Sequence, residues 1–164
     1  MIEQIFVALI SSLGFGIIFN IKGKNLIFAA LGGGLSWFCY LTFIQNGISV
    51  VLSMFISSLI FSTYSEICAR YLKTPVTTIV VCALIPLVPG AGMYYTMYET
   101  ITGNVNGAVS LGLTTIASAG ALALGVIFVS TITRQVTNLK KVKENYLKNN
   151  FFILSLIFKK LIFV

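Results

Sequence analysis

The sequence contains no histidine. That removes at once the commonest general base and the commonest metal-ligating side chain. Acidic residues are nearly as scarce: Glu3, Glu66, Glu99 and Glu144 are all there are. Charged residues make up 9% of the 164, against about 25% in an ordinary soluble domain. Hydrophobic residues make up 57%. A chain so poor in charge cannot cover a water-facing surface, so the lipid bilayer is expected to solvate most of it. The net charge of +7 then reads as the mark of a cytoplasmic membrane face and not of nucleic-acid binding. Cys39, Cys68 and Cys82 are far apart with no C-x-x-C pair. They read as small apolar packing residues, not as a disulfide framework or a metal site. No cofactor is expected.

What is abundant is apolar sequence in runs near the length of about 20 residues that spans a bilayer as a helix. Five runs bounded by polar residues predict an all-α integral membrane protein with spans at about 2–20, 25–44, 48–68, 76–101 and 105–133. Met1-Ile2-Glu3 lacks the positive start of a cleavable signal, so the first run is expected to remain as a span. Residues 1–134 form the predicted transmembrane domain, and 135–164 a basic cytoplasmic tail with a short apolar end. That end, FFILSLIFKKLIFV, is expected either to lie in the lipid interface or to pack on a partner.

Orientation follows from lysine and arginine in short loops. Lys22 and Lys24 fall between spans 1 and 2, Arg70 and Lys73 between spans 3 and 4, and the other seven basic residues after span 5. A five-span chain puts all eleven on one side, which sets the N-terminus outside and the C-terminus in the cytoplasm. Small residues suggest close packing: Gly32-Gly33-Gly34 opens span 2, and Ala117, Ala121 and Gly125 recur at i, i+4 in span 5 beside Ser118 and Gly120. The partner of the second face is left open between this chain and another copy of it.

The fourth span departs from the pattern. Residues 83–104 read ALIPLVPGAGMYYTMYETITGN. From Val76 to Pro86 is about 11 residues, or roughly 16 Å at about 1.5 Å each, half of a hydrocarbon core about 30 Å thick. Pro86, Pro89 and Gly90 are therefore expected near the midplane, where two prolines and two glycines should interrupt the helix. Open backbone at that depth survives only inside protein or beside a watery cavity. A second half-helix starting near Ala91, with Gly92 in its first turn, would aim free N–H groups at an anionic ligand, and Tyr94, Tyr95 and Tyr98 would supply hydroxyls. On that reading a bulky replacement of Gly90 lowers transport. The alternative is a proline kink without a ligand.

Glu99 lies one turn beyond Tyr95 and is either an intramembrane functional carboxylate or an interfacial one. Glu66 and Arg70 stand at i, i+4 and predict an ion pair, with a gating role as a further possibility. An embedded enzyme is disfavoured, because no nucleophile–base pair or metal cluster is visible. Ser110, Thr114 and Thr115 read instead as interhelical hydrogen bonders.

At Ile85-Pro86-Leu87-Val88-Pro89-Gly90 the chain resembles the threonine/serine exporter family, in particular its small membrane subunit of C-terminal-half type. Glu66, Ala69-Arg70 and Pro75 are similar to that family's approach to the motif. Gly14-Phe15-Gly16-Ile17-Ile18-Phe19-Asn20 is similar to its first-span ending, and Gly33 and Trp37 match its second span. The resemblance covers about residues 10–130; residues 145–164 share none of it. It implies a bacterial plasma-membrane protein that exports threonine and serine, or in some members dicarboxylates such as succinate. It also implies proton coupling and a larger partner subunit carrying the other membrane half. Two functional readings follow: a transporting subunit, or a structural subunit whose partner holds the solute site.

Overall fold

A computed structural model describes the backbone of residues 1–162 and the side chains of residues 1–137. Among the described residues the chain is entirely helical: α1 Ile2–Ile18, α2 Lys24–Gln45, α3 Val50–Leu72, α4 Val76–Leu84, a 3₁₀ turn Ile85–Leu87, α5 Gly90–Ile101 and α6 Val105–Ile162. The chain divides into two compact units, Met1–Val129 and Ser130–Val164. The second contains the C-terminal part of α6, whose helical backbone runs past Arg134 to Ile162. The contacts expected of the tail's lysines and of residues 151–164 lie outside the described residues.

Among the described residues, three helices are long and apolar enough to cross a bilayer: α2, α3 and the part of α6 from Val105 to Thr137. The α4 and α5 segments qualify only together, bent by 44° at the break between them. The five expected spans thus become three or four by length and composition. The difference lies in α1, whose 17 residues reach roughly 26 Å at about 1.5 Å each. It ends early because Asn20 takes a left-handed conformation (φ 58°). There the Asn20 N–H donates to the Ile17 carbonyl and the Ile21 N–H to that of Gly16, a Schellman closure. The same closure ends α2 at Gly47, α3 at Lys73 and α5 at Gly103. At Lys73 a residue with a side chain accepts the strained left-handed state, and Pro75 two residues on forbids helical continuation.

The first unit is packed through small residues, since hydrocarbon gives helices little hydrophobic reason to associate. Ala8, Ser12 and Gly16, four apart, form the buried stripe of α1. A β-carbon on Gly33 would overlap Ser12, and one on Gly34 would sit 3.6 Å from Leu9, so α1 and α2 run antiparallel in close contact. The three glycines lie in the middle of α2, not at its opening, because their role is this contact and not a cap. Gly32 lies under Tyr64 of α3 and Ala83 of α4, and the Tyr64 hydroxyl donates to the Phe28 carbonyl at 3.0 Å.

Helix α3 carries five fully buried serines, Ser53, Ser57, Ser58, Ser62 and Ser65. Ser58 meets Gly125 of α6 so closely that a β-carbon there would overlap it. The small face of α6 therefore packs on α3 of the same chain. It comprises Ser118, Ala121, Leu122 and Gly125, which keeps Ser118, Ala121 and Gly125 of the expected face, while Ala117 and Gly120 are exposed. Met54, Phe61, Ala83, Leu87 and Leu122 join there in an apolar cluster.

Candidate functional site

The interruption of the fourth apolar segment begins where Pro86 leaves the Cys82 carbonyl without its helical donor. The chain tightens into the Ile85–Leu87 3₁₀ turn, with the Val88 N–H donating to the Ile85 carbonyl. Pro89 then adopts φ −75°, ψ 54° and the Gly90 N–H donates to the Val88 carbonyl at 2.7 Å, the geometry of an inverse γ-turn. Ser36 of α2 supports the break. Its hydroxyl lies 2.9 Å from the Ala83 carbonyl and 2.8 Å from that of Gly33, so its single proton is shared between them.

Beside this turn lies a cavity of about 250 Å³. Its walls are Trp37 and Tyr40 of α2, Val50 and Met54 of α3, residues 86–89 of the break, Ala91 and Gly92 of α5, and Leu111, Thr114, Thr115 and Ser118 of α6. The volume falls just under the roughly 300–1,000 Å³ of drug-sized sites and suits a small metabolite.

The first turn of any helix has N–H groups without intrahelical acceptors. In α5 the Gly90 N–H is taken by Val88 and the Met93 N–H by the Pro89 carbonyl. That leaves Ala91 and Gly92, both in the cavity wall, so donation to a ligand narrows from the whole turn to these two. Gly90 does not contribute, and a β-carbon there would meet nothing within 4 Å. Gly92 is the constrained glycine: a β-carbon would lie 2.5 Å from Thr115 Oγ1.

The threonines expected to bond between helices bond within their own. Thr114 donates to the Ser110 carbonyl at 3.0 Å, Thr115 to Leu111 at 2.7 Å and Ser118 to Thr114 at 2.7 Å. Donation to the backbone four residues earlier is the usual way for such residues to settle their proton in a helix. Their oxygen lone pairs stay available as acceptors. The cavity wall thus carries two backbone donors from α5 and hydroxyl acceptors from α6.

The tyrosines are not among its walls. Tyr94, Tyr95 and Tyr98 are 64%, 55% and 53% exposed and stack on one another, with Tyr94 edge-on to Tyr95 and parallel to Tyr98. Helix α5 has no buried residue at all; its register turns the tyrosines away from the break. Glu99 is also apart from the cavity. It accepts from Asn104 Nδ2 at 2.7 Å, while Asn104 Oδ1 accepts from the Gly107 N–H at 3.1 Å and so caps the start of α6. Glu66 and Arg70 form the expected pair at 4.0 Å, with side chains 14% and 47% exposed, near the opposite end of α3 from Val50 and Met54.

Spacing did not single out Tyr40, Val50, Met54 or Leu111 as walls, because they arrive from three different helices. Trp37 carried one signal that only coordinates expose. Its Nε1 is buried and has no acceptor among the described residues, a state that costs about 1–3 kcal/mol in a buried setting. A second cavity of about 460 Å³ lies on α1, walled by Glu3, Gln4, Val7, Ala8 and Ser11 together with Trp37 and Pro86.

No solved structure matches the chain. The profile of the family described as "Threonine/Serine exporter, ThrE" matches residues 4–132, which hold the helix break and every wall of the cavity beside it. With most of its length matched, the chain belongs to the threonine/serine exporter family.

Proposed function

We propose that the chain is a subunit of a secondary-active exporter of small hydrophilic metabolites in the bacterial plasma membrane. Threonine and serine are the first candidates and a dicarboxylate such as succinate the second. The solute occupies the cavity at the helix break. Its carboxylate meets the Ala91 and Gly92 N–H groups at the positive end of α5. Its ammonium or hydroxyl donates to the oxygens of Thr114, Thr115 and Ser118. The observation that carries this reading is the cavity itself, with backbone donors of α5 and hydroxyl acceptors of α6 in its wall.

The proposed topology has five crossings, with α1 as a short first span, the break near the midplane, the N-terminus outside and the C-terminus in the cytoplasm. It is supported by the one-sided distribution of lysine and arginine. Export is proton-coupled and needs a larger partner subunit. Glu66 is the proposed coupling carboxylate, since Glu99 is engaged by Asn104, the residue that caps α6. Opening of the Glu66–Arg70 pair is the proposed gating event.

Efflux of labelled threonine, serine and succinate from cells with and without the chain and its partner tests the reading. Faster efflux of at least one solute when both are present is expected; equal efflux of all three overturns it. A non-transporting structural subunit is the second reading. It is favoured by α5, whose tyrosines and methionines are all exposed and so open to a partner. Photocrosslinking of solute to the partner alone selects it.

A further inference from the structure

The two cavities of the first unit share two walls, Trp37 and Pro86. One cavity lies against α1, with Ser11, Gln4 and Glu3 in its wall. The other lies between the helix break and α6. We propose that they are two chambers of one solute path and that the Trp37 indole is the movable partition between them. This rests on the transport reading above.

Of the two shared walls only Trp37 has a side chain that can turn about its own bonds. Pro86 is fixed by its ring and by the 3₁₀ turn, whose next residue, Leu87, is buried in the apolar cluster. The Trp37 ring is held by packing, against Tyr40 at a centroid distance of 5.1 Å, while its N–H has no acceptor among the described residues. The observed position thus leaves its one polar atom unsatisfied, and turning toward either chamber brings that N–H to solute or water. Once turned, the indole donates to the solute carboxylate as it passes.

Trp37 is the single tryptophan of this chain, so the part of the emission that Trp37→Phe removes reports its surroundings. The test uses the full chain with its partner in liposomes. Ser11→Cys marks the α1 chamber and Ser118→Cys the other, and the parent chain, whose three cysteines are buried, sets the background. A membrane-impermeant maleimide applied to one face is expected to label only one of the two positions. With Trp37→Ala it is expected to label both from that same face. Labelling of both positions in the parent background overturns the partition, as does a pattern that Trp37→Ala leaves unchanged.

Trp37→Phe keeps an aromatic wall and removes the N–H, which guards against a poorly folded alanine variant. It is expected to keep one-sided labelling and to raise the KM for export about tenfold with little change in kcat, the loss of one hydrogen bond to a charged group. Solute should also shift the emission of the parent protein. An exporting protein whose emission ignores its solute, and whose Trp37→Phe form has an unchanged KM, overturns the role of the indole. If none of the three solutes is exported but the labelling still merges in Trp37→Ala, the solute assignment fails and the partition stands.

Discussion

Gly92 of α5 faces Thr115 of α6 across a gap that admits only hydrogen: a β-carbon at position 92 would lie 2.5 Å from the threonine Oγ1. The contact is one of a set, since Gly112 faces Thr96 and Gly107 faces Glu99 and Asn104. A glycine of one helix meets a side chain of the other at each of these levels of the antiparallel pair. This pairing brings the hydroxyls of α6 against the first turn of α5, where both contribute to the cavity wall.

Gly92→Ala is expected to lower export strongly, because Thr115 carries its hydroxyl on the β-carbon and has no flexible end to move aside. Gly90→Ala, with open space around the added carbon, is expected to export like the parent. Radiolabelled threonine efflux at matched membrane abundance compares them. Equal losses at both positions would mean that helix α5 tolerates no side chain at its start, and the sequence-based expectation for Gly90 would return.

Packing of α1 on α2 depends on Gly33 meeting Ser12. Gly33→Ala is expected to destabilise the first unit by about 1–3 kcal/mol, the usual cost of overpacking, and to lower the melting temperature in detergent. Ser12→Gly in the same chain removes both the atoms in conflict and should restore most of the loss. A double-mutant cycle reads the coupling; additive losses would show that the contact is not the cause.

The two mid-chain carboxylates separate by role. Glu99→Gln keeps an acceptor for Asn104 Nδ2, so export and its dependence on the proton gradient should be retained. Glu66→Gln removes the charge that pairs with Arg70 and is expected to flatten the response of export to an imposed pH gradient. Proteoliposome efflux with and without that gradient distinguishes them, and a flat response from the Glu99 variant alone would reverse the assignment.

Ser36 is the side chain that serves the backbone at the break. Ser36→Ala leaves the Ala83 carbonyl without that donor and is expected to cost about 1 kcal/mol. Ser36→Thr keeps the hydroxyl but adds a methyl group to a fully buried position, so it should be worse than Ser36→Ala. Thermal unfolding in one detergent ranks the three forms; equal melting temperatures for all of them would remove Ser36 from the account of the break.

Membrane character, helical class and the break itself were legible in the sequence, because each follows from local chemistry. Charge at 9% of residues excludes a watery surface, and Pro86 lacks a donor in whatever fold surrounds it. Pro89 and Gly90 likewise mark the end of regular helix without reference to any neighbour. The Glu66–Arg70 pair was legible for the same reason, since four residues is one turn.

The walls of the site were decided by tertiary structure. Whether Tyr94, Tyr95 and Tyr98 face the cavity or the outside depends on the rotation of α5 about its axis, which Gly92 against Thr115 and Gly112 against Thr96 fix through contacts between helices. The same contacts exchange the expected tyrosine hydroxyls for those of Thr114, Thr115 and Ser118. Trp37 acquires its place between two cavities only because α1, α2 and the broken segment converge on it. Local sequence specifies where a backbone must bend; which side chains then share the space is settled by how closely neighbouring helices approach.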